Sequence, residues 1–354
     1  MDISRLISIL KNPPEVSNPV ILPDFFVDHF VIVPEFEDFV QNLEVLANQG
    51  GGNLLNNAQF IRKGGNTVNT ASALFALGLN PKMIVTTDEY GASLLHALAP
   101  PGLDLSHVHT NGKLSTTVSI ETNYQNRKIN LMVSDSGSAS EFDYSDLTPD
   151  DLDLIKDCGI VTLVNLNHNQ RGANLAKQLF SYAKEETTAK TFMDIGDPSS
   201  NPHLVEPLVR DVLAMGLVDI LGINENEAGW ISWHLTGKDE RWKNIVSRPD
   251  DWIPAAKIIS TETGIQVDLH TSKFAASINE DHVVSVPIFD TPGKVVCGAG
   301  DAWNAGDIYG ELLHLSATER LVLANAIAAL YVSSEEAIHP TITAVLDFLT
   351  DRMP

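Results

Sequence analysis

Four short residue clusters in this 354-residue chain carry groups suited to phosphoryl transfer. The fullest is Gly298-Ala299-Gly300-Asp301-Ala302-Trp303-Asn304-Ala305-Gly306. Ala302, Ala305, Ile308, Tyr309 and Leu312 follow at helical spacing, so the cluster opens a helix. Small residues let a ligand approach the backbone closely. The first N–H groups of a helix have no partner within it, and the helix dipole makes that end positive. Gly298, Ala299 and Gly300 therefore read as an anion hole for a migrating phosphoryl group. Asp301 stands where a carboxylate can collect the proton of an attacking hydroxyl. An N-capping aspartate behind a glycine turn has the same pattern and no chemistry.

The other three clusters are less specific. Gly64-Gly65-Asn66-Thr67-Val68-Asn69 opens a second helix. A diglycine lets a polyol lie against the backbone, and Asn66 and Asn69 offer amides to its hydroxyls. Alone, the same residues make an ordinary turn and cap. Asn224-Glu225-Asn226-Glu227 follows a β-rich run, at the strand end where ligands gather in open sheets. Asn224 and Glu227 face one way there, and Glu227 suits the water shell of a Mg²⁺ ion beside phosphates. Asp24 and Asp28 follow the first apolar run, placed to grip sugar hydroxyls or simply to serve a turn.

The elements that must position these clusters follow from the hydrophobic pattern. Short β-rich runs occur at Val20–Leu22, Met83–Thr86, Ile160–Asn165, Thr191–Met193, Val218–Gly222 and Ala256–Ser260. Helical runs lie between them, including Thr67–Leu77, Leu175–Lys184 and Thr318–Val332. This alternation predicts an α/β fold with a mainly parallel sheet. Two stretches break the rhythm with period-2 alternation: Phe30–Phe39 and the hairpin-like Lys113–Val133, with its turn at Asn123–Arg127. They predict a small β lid over residues 30–63 and 113–133, with Ala47–Lys63 looping back to the core. The core takes residues 1–29, 64–112 and 134–354.

Bulk composition excludes several classes. A 44% hydrophobic chain of this length buries a large core, and no apolar run reaches membrane-spanning length. The start of the chain lacks the pattern of a cleaved leader and reads as mature protein. A net charge of −23 opposes nucleic acid or an anionic membrane as partner. Two distant cysteines, Cys158 and Cys297, suit a reducing cytoplasm. Walker, dinucleotide, zinc-protease and nucleophile-elbow motifs are absent, and His107 and His109 read as isolated loop residues.

The four clusters in this order resemble the ribokinase-like (PfkB-type) carbohydrate kinases over essentially the whole chain. GAGDAWNAG is similar to that family's C-terminal signature, GGNTVNTASALFALG to its N-terminal one, and VILPDFFVDHF to its first strand. The resemblance implies a ribokinase-like three-layer α/β/α fold with a mainly parallel central sheet and a small β lid. It implies Asp301 as general base, Gly298, Ala299 and Gly300 as anion hole, and Asp28, Gly64, Gly65, Asn66 and Asn69 as acceptor ligands. Asn224 and Glu227 fall to Mg²⁺ and phosphate, and Asn325 to the adenine pocket. The stretch Thr263–Thr271 is similar to a segment of archaeal ADP-dependent sugar kinases, which assigns Gly264 to the nucleotide and sets ADP beside ATP as donor. The threonines that usually precede the glycines are replaced by Lys294-Val295-Val296-Cys297, which departs from the family's monovalent-cation loop. The implied acceptor is a sugar or polyol. A nucleoside, stacked on Phe25, Phe26 or Tyr124, is the alternative, and a binding protein without turnover is a third reading. Pairing of lids implies a homodimer.

Overall fold

In the run Val20-Ile21-Leu22, Val20 and Leu22 join one apolar cluster and Ile21 joins another. Ile160 is parted from Val161 and Leu163 in the same way, Phe192 from Met193, and Ile220 from Leu221 and Ile223. Successive side chains of a strand point to opposite faces, so each of these strands is buried on both, as a sheet between two helix layers requires. The computed structural model describes residues 3–295 and 297–352. Residues 1–2 and 353–354, at the ends of the expected core, and Val296, in the approach to Gly298, lie outside the described residues.

The strands are β1 (Pro19–Leu22), β2 (Phe26–Glu35), β3 (Ala58–Gly64), β4 (Lys82–Met83), β5 (Val85–Thr86), β6 (Val108–His109) and β7 (Ser115–Tyr124). They continue with β8 (Arg127–Asp135), β9 (Ile160–Leu163), β10 (Lys190–Met193), β11 (Ile220–Ile223), β12 (Gln266–His270), β13 (Phe274–Asn279) and β14 (His282–Pro287). The central sheet runs β14-β13-β12-β11-β10-β9-β1-β4. It is parallel from β4 to β12, and β13 and β14 add an antiparallel edge. Helices Gly172–Glu186, Glu225–Leu235 and Trp252–Thr263 cover one face. Helices Asn66–Ala76, Ala299–Leu312 and Ala317–Val332 cover the other. The α/β fold with a mainly parallel sheet expected from the alternation is present, and so is the three-layer α/β/α plan that the family resemblance implies.

The second sheet runs β3-β2-β7-β8, with β2 and β7 parallel and both outer pairs antiparallel. The expected hairpin is β7–β8, turning at Gln125 and Asn126, whose φ angles are 50° and 61°. Three expectations are corrected. Ala256–Ser260 is helical: Trp252, Ala255, Ala256 and Ile259 are buried at helical spacing, Gly264 ends the helix with a φ of 72°, and the strand comes after it. Phe36–Phe39 is also helical, in Phe36–Asn48, with Glu37 and Asp38 in its first turn. The end of the expected Ala47–Lys63 loop is the strand β3, which exists only through pairing with β2. The lid sheet also takes Phe26–His29 and Ser134–Asp135, so its edges fall inside the expected core segments.

Candidate active site

Asp301 enters the first turn of helix Ala299–Leu312 behind Gly298, whose φ of 84° favours glycine. A Cβ on Gly298 would also stand 2.5 Å from the Tyr331 hydroxyl. That hydroxyl donates to the Cys297 carbonyl at 2.9 Å, pinning the turn from the far side. Its N-cap residue, Gly298, has no side chain to cap the helix.

Asp301 is buried, with 6% of its surface exposed, and its Oδ2 accepts from Asn69 Nδ2 at 3.0 Å. Asn69 Oδ1 accepts in turn from Lys63 Nζ at 3.2 Å. The Asn69 amide thus has a fixed orientation, its NH₂ toward the carboxylate. Burial lifts the Asp301 pKa well above the usual carboxylate range, and the charges of Asp194 and Asp24 add to this; the Asn69 bond and Lys63 oppose it. Burial pushes Lys63 down to about 8, against the pull of Asp301 and Asp28. Asp28 projects from β2 opposite Thr117 of β7. Burial, then the Asp24 charge, raise its pKa to about 6, while a Thr117 hydrogen bond and Lys63 restrain it.

Asp24, expected beside Asp28 as a sugar ligand, closes the fold instead. Its carboxylate accepts from the amides of Asn66 at 3.0 Å and Thr67 at 2.8 Å, and from Asn165 Nδ2 at 2.8 Å. It caps helix Asn66–Ala76 from a distant strand end, and Gly65, at φ 90°, lets the two segments meet. Asn224 and Glu227 form a capping box: Asn224 Oδ1 accepts from the amides of Asn226 and Glu227, and Glu227 accepts from the Asn224 amide at 2.9 Å and Nδ2 at 2.8 Å. Burial, then Asp194, raise Glu227 well above its ordinary pKa. Asp194, just past β10, is raised mainly by burial and accepts from Asn304 and the Gly196 amide. Among the described residues no group of three or more acidic, histidine or cysteine side chains is set to hold a metal ion. Two neighbouring buried carboxylates with raised pKa values nevertheless mark a point where a hydrated cation would lower the energy.

A cleft of about 310 Å³ gathers Asp28, Gly65, Asn66, Asn69, Asn224, Glu227, Gly298, Gly300 and Asp301. Gly64 and Ala299 stand just behind: a Cβ on Gly64 would overlap the Asp28 carboxylate, and Ala299 begins the helix. Gly264 and Asn325 do not join the cleft. Gly264 is a helix terminator with open space about it. Asn325 accepts from Trp303 Nε1 at 2.9 Å and donates to the Pro287 carbonyl at 3.0 Å, so both ends of its amide are occupied. Of the three expected stacking rings only Phe26 lines the cleft; Phe25 is in the core and Tyr124 packs on Phe36. His107 and His109 are not isolated: both rings bond the buried Asp151, at 2.6 and 2.9 Å.

Sequence reasoning missed Lys63, Thr117, Asn165, Asp194 and the role of His270. His270 ends β12, lies against Trp303 with ring centroids 4.9 Å apart, and is pushed down to about 4 by burial. Among the described residues its buried Nε2 has no hydrogen-bond partner. Asn165, Asp194 and His270 sit at or just past the carboxyl ends of β9, β10 and β12 in the parallel part of the sheet, which was the signal available.

Residues 38–344 match the pattern described as pfkB family carbohydrate kinase. No curated protein matches the chain by sequence. Among solved structures, an Arabidopsis thaliana ribokinase complexed with ribose and ATP is 20% identical, with a TM-score of 0.70 over 95% of this chain and 99% of that one. A putative ribokinase II from E. coli is 16% identical, with a TM-score of 0.71 over 95% and 100%. An adenosine kinase from Sinorhizobium meliloti is 16% identical, with a TM-score of 0.68 over 96% and 100%. These likenesses establish a shared fold, and the family match spans most of the chain: it belongs to the pfkB family of carbohydrate kinases.

Proposed function

We propose that this enzyme moves the terminal phosphoryl group of ATP to a hydroxyl of a sugar or polyol, with Asp301 as general base. The observation that carries this reading is a buried carboxylate in the first turn of a helix that begins at a glycine, in one cleft with Asp28 and Asn69. The acceptor hydroxyl lies between Asp28 and Asp301. As its oxygen bonds to phosphorus, its proton passes to Asp301, and the bond from phosphorus to the bridging oxygen breaks with its electron pair leaving on the nucleotide. Charge on the transferring oxygens falls to the amides of Gly298, Ala299 and Gly300. Asn69, oriented by Lys63, holds the Asp301 carboxylate toward the acceptor. Asn224 and Glu227 would hold the water shell of Mg²⁺, which when bound neutralises the donor phosphates.

Phe26 stands at the cleft with the imidazoles of His168 and His270, while Asp28, Asn66, Asn69 and Asn165 supply the polar groups that favour a sugar or polyol. A phosphorylation screen of sugars, polyols and nucleosides, run with ATP and with ADP, tests donor and acceptor together. Turnover confined to nucleosides overturns the acceptor, and turnover with ADP alone overturns the donor. Ligand binding without turnover would make the chain a binding protein and end the kinase reading. No helix among the described residues is long and apolar enough to cross a membrane. Free thiols at Cys158 and Cys297 support a cytoplasmic site of action.

A further inference from the structure

The catalytic end of the cleft is crowded with carboxylates. The charges of Asp194 and Asp24 add to the burial that raises the Asp301 pKa, and that of Asp24 acts on Asp28 in the same way. Lys63 is the cation that opposes the rise in both Asp301 and Asp28. The phosphoryl transfer described above gives this charge no task beyond turning the Asn69 amide.

Strand alternation places the ammonium. In the β2–β3 register Arg62 pairs with Asp28, and Lys63 with Val27. Neighbouring residues of a strand point to opposite faces, so Lys63 shares the face of Val27, which is buried in the core. Arg62 stays on the Asp28 face, with its guanidinium over the rings of Phe60 and Phe30 at 4.7 and 5.6 Å. A second cavity, about 970 Å³, opens between the lid sheet and the segment after helix Ala317–Val332. It shares Asp28, Asn69, Met132 and Cys297 with the catalytic cleft, and Lys63 lines its wall. Asn69 is therefore a partition between the two spaces. Lys63 Nζ donates to its Oδ1 at 3.2 Å from one side, and its Nδ2 donates to Asp301 Oδ2 at 3.0 Å on the other.

The other charges of this cavity are those of Arg62, Lys128 and Lys294 against Glu121, Glu335 and Glu336, which add no net charge. The remaining titratable groups near the line carry none. Burial pushes His270 down to about 4 and His339 down to about 3, with the Lys63 charge adding to the second. Cys297 and Tyr331 are pushed up and stay protonated. Lys63 is half-buried by surface area, yet the protein packed about its ammonium brings its pKa down to about 8, so it is charged at neutral pH. A protonated carboxyl cannot take the acceptor's proton. Burial, Asp194 and Asp24 favour that idle form of Asp301; the Asn69 bond and Lys63 favour the ionised one.

We propose that Lys63 is a positioning residue for this reaction: acting through Asn69, its ammonium keeps Asp301 ionised and aimed at the acceptor hydroxyl. This rests on the kinase reading and adds to it the group that sets the acid limit of the rate. The hydroxyl proton still passes to Asp301, and Lys63 keeps its own proton throughout. Only the ionised base works, so the rate rises with pH as Asp301 ionises. Loss of the Lys63 charge moves that rise to higher pH.

The test is the pH dependence of kcat at saturating acceptor and donor, which reports ionisations in the bound complex. Lys63→Met should lower kcat by about 10- to 100-fold near pH 6 and by about threefold or less near pH 9. Lys63→Arg should return most of the wild-type profile, because it restores the charge. Melting temperatures report whether each variant is folded, and Lys63→Gln takes the place of the methionine variant if that one is not. A profile that keeps the wild-type midpoint, at full rate or lowered equally at every pH, overturns the proposal and spares the kinase reading. A second readout needs no turnover: NMR of isotope-labelled aspartate carboxyls, with the Asp301 signal identified by its loss in Asp301→Asn. Its ionisation midpoint should lie higher in Lys63→Met than in wild type, and an unchanged midpoint overturns the proposal on its own. A wild-type chain without turnover on any acceptor or donor overturns the kinase reading, and the coupling of Lys63 to Asp301 then stands or falls on the carboxyl signal.

Discussion

At the residue scale the site turns on the line Lys63–Asn69–Asp301, in which one amide is held between an ammonium and a carboxylate. Asp301→Asn should lower kcat by about 10²- to 10⁴-fold with little change in donor KM, since it removes a proton acceptor and not a nucleotide contact. Steady-state kinetics check this, and a near-normal rate would take Asp301 out of the chemistry. Asp28 titrates near 6 when folded against an ordinary value of 3.8. The folded chain therefore binds this proton more tightly than the unfolded chain, so stability falls as pH rises from about 4 to about 6 and is level above. Asp28→Asn should accordingly stabilise the enzyme at pH 7–8, by about 1–3 kcal/mol, while weakening acceptor binding. Denaturant melts of the two proteins at acid and neutral pH read the difference. Asp301 was legible because three small residues and a carboxylate open an obvious helix. The roles of Asp24 and Asp28 were not. Which of them caps and which faces the cleft depends on helix amides some forty residues away, brought in only by the fold.

At the element scale, Asp301, the proposed base, is held by the contact between helices Ala299–Leu312 and Ala317–Val332. A Cβ on Gly306 would stand 2.6 Å from the Ala324 Cα, and backbone cannot yield cheaply. Gly306→Ala should cost about 1–3 kcal/mol, measured as a shift in denaturant midpoint, with acceptor KM unchanged in the protein that remains folded. The Asn224–Glu227 box serves structure and site together. Glu227→Gln keeps an oxygen for the Asn224 amide but removes the charge, so it should raise the magnesium concentration for half-maximal rate severalfold. An unchanged magnesium titration would reduce Glu227 to a cap. Elements with strong internal periodicity were readable from sequence, as Thr67–Leu77 shows beside the observed Asn66–Ala76. Ala256–Ser260 misled because a short apolar run has no period of its own; the buried Trp252 and Ala255 before it decide for helix. β3 was invisible because its residues are mostly exposed and gain strand structure from a partner.

At the scale of the whole molecule, the lid stands over the core as a twisted four-strand sheet whose β8 edge is largely exposed. The register lines up His29, Val118 and Val133 on one face, with Val118 38% and Val133 67% exposed. Apolar side chains in a row on an open sheet support the homodimer through the lid that the family resemblance implies. Sedimentation equilibrium should then show a dimer that Val133→Asp shifts toward monomer; a wild-type monomer at micromolar concentration would dismiss it. The field of the whole chain sets a further expectation. Phosphate-bearing ligands approach a body of net charge −23, so kcat/KM should rise from low salt toward about 0.15 M as screening weakens the repulsion. The mainly parallel α/β plan was legible from alternation and its three layers from the family resemblance, whereas the two cavities were not, since no single segment encloses either.

Cys297 stands where those two hollows share a wall, and the chain's only other thiol, Cys158, is buried. Cys297 is exposed by surface area, yet the protein packed about its sulfur, with Asp301 and Asp28 nearby, pushes the thiol up to about 12, so it stays protonated and sluggish toward alkylating reagents in neutral buffer. A sugar carrying a mild electrophile would hold its warhead against this sulfur for as long as it stayed docked. Irreversible inactivation by such a compound, with ordinary iodoacetamide inert at the same dose, would turn this junction into a handle for selective inhibitors.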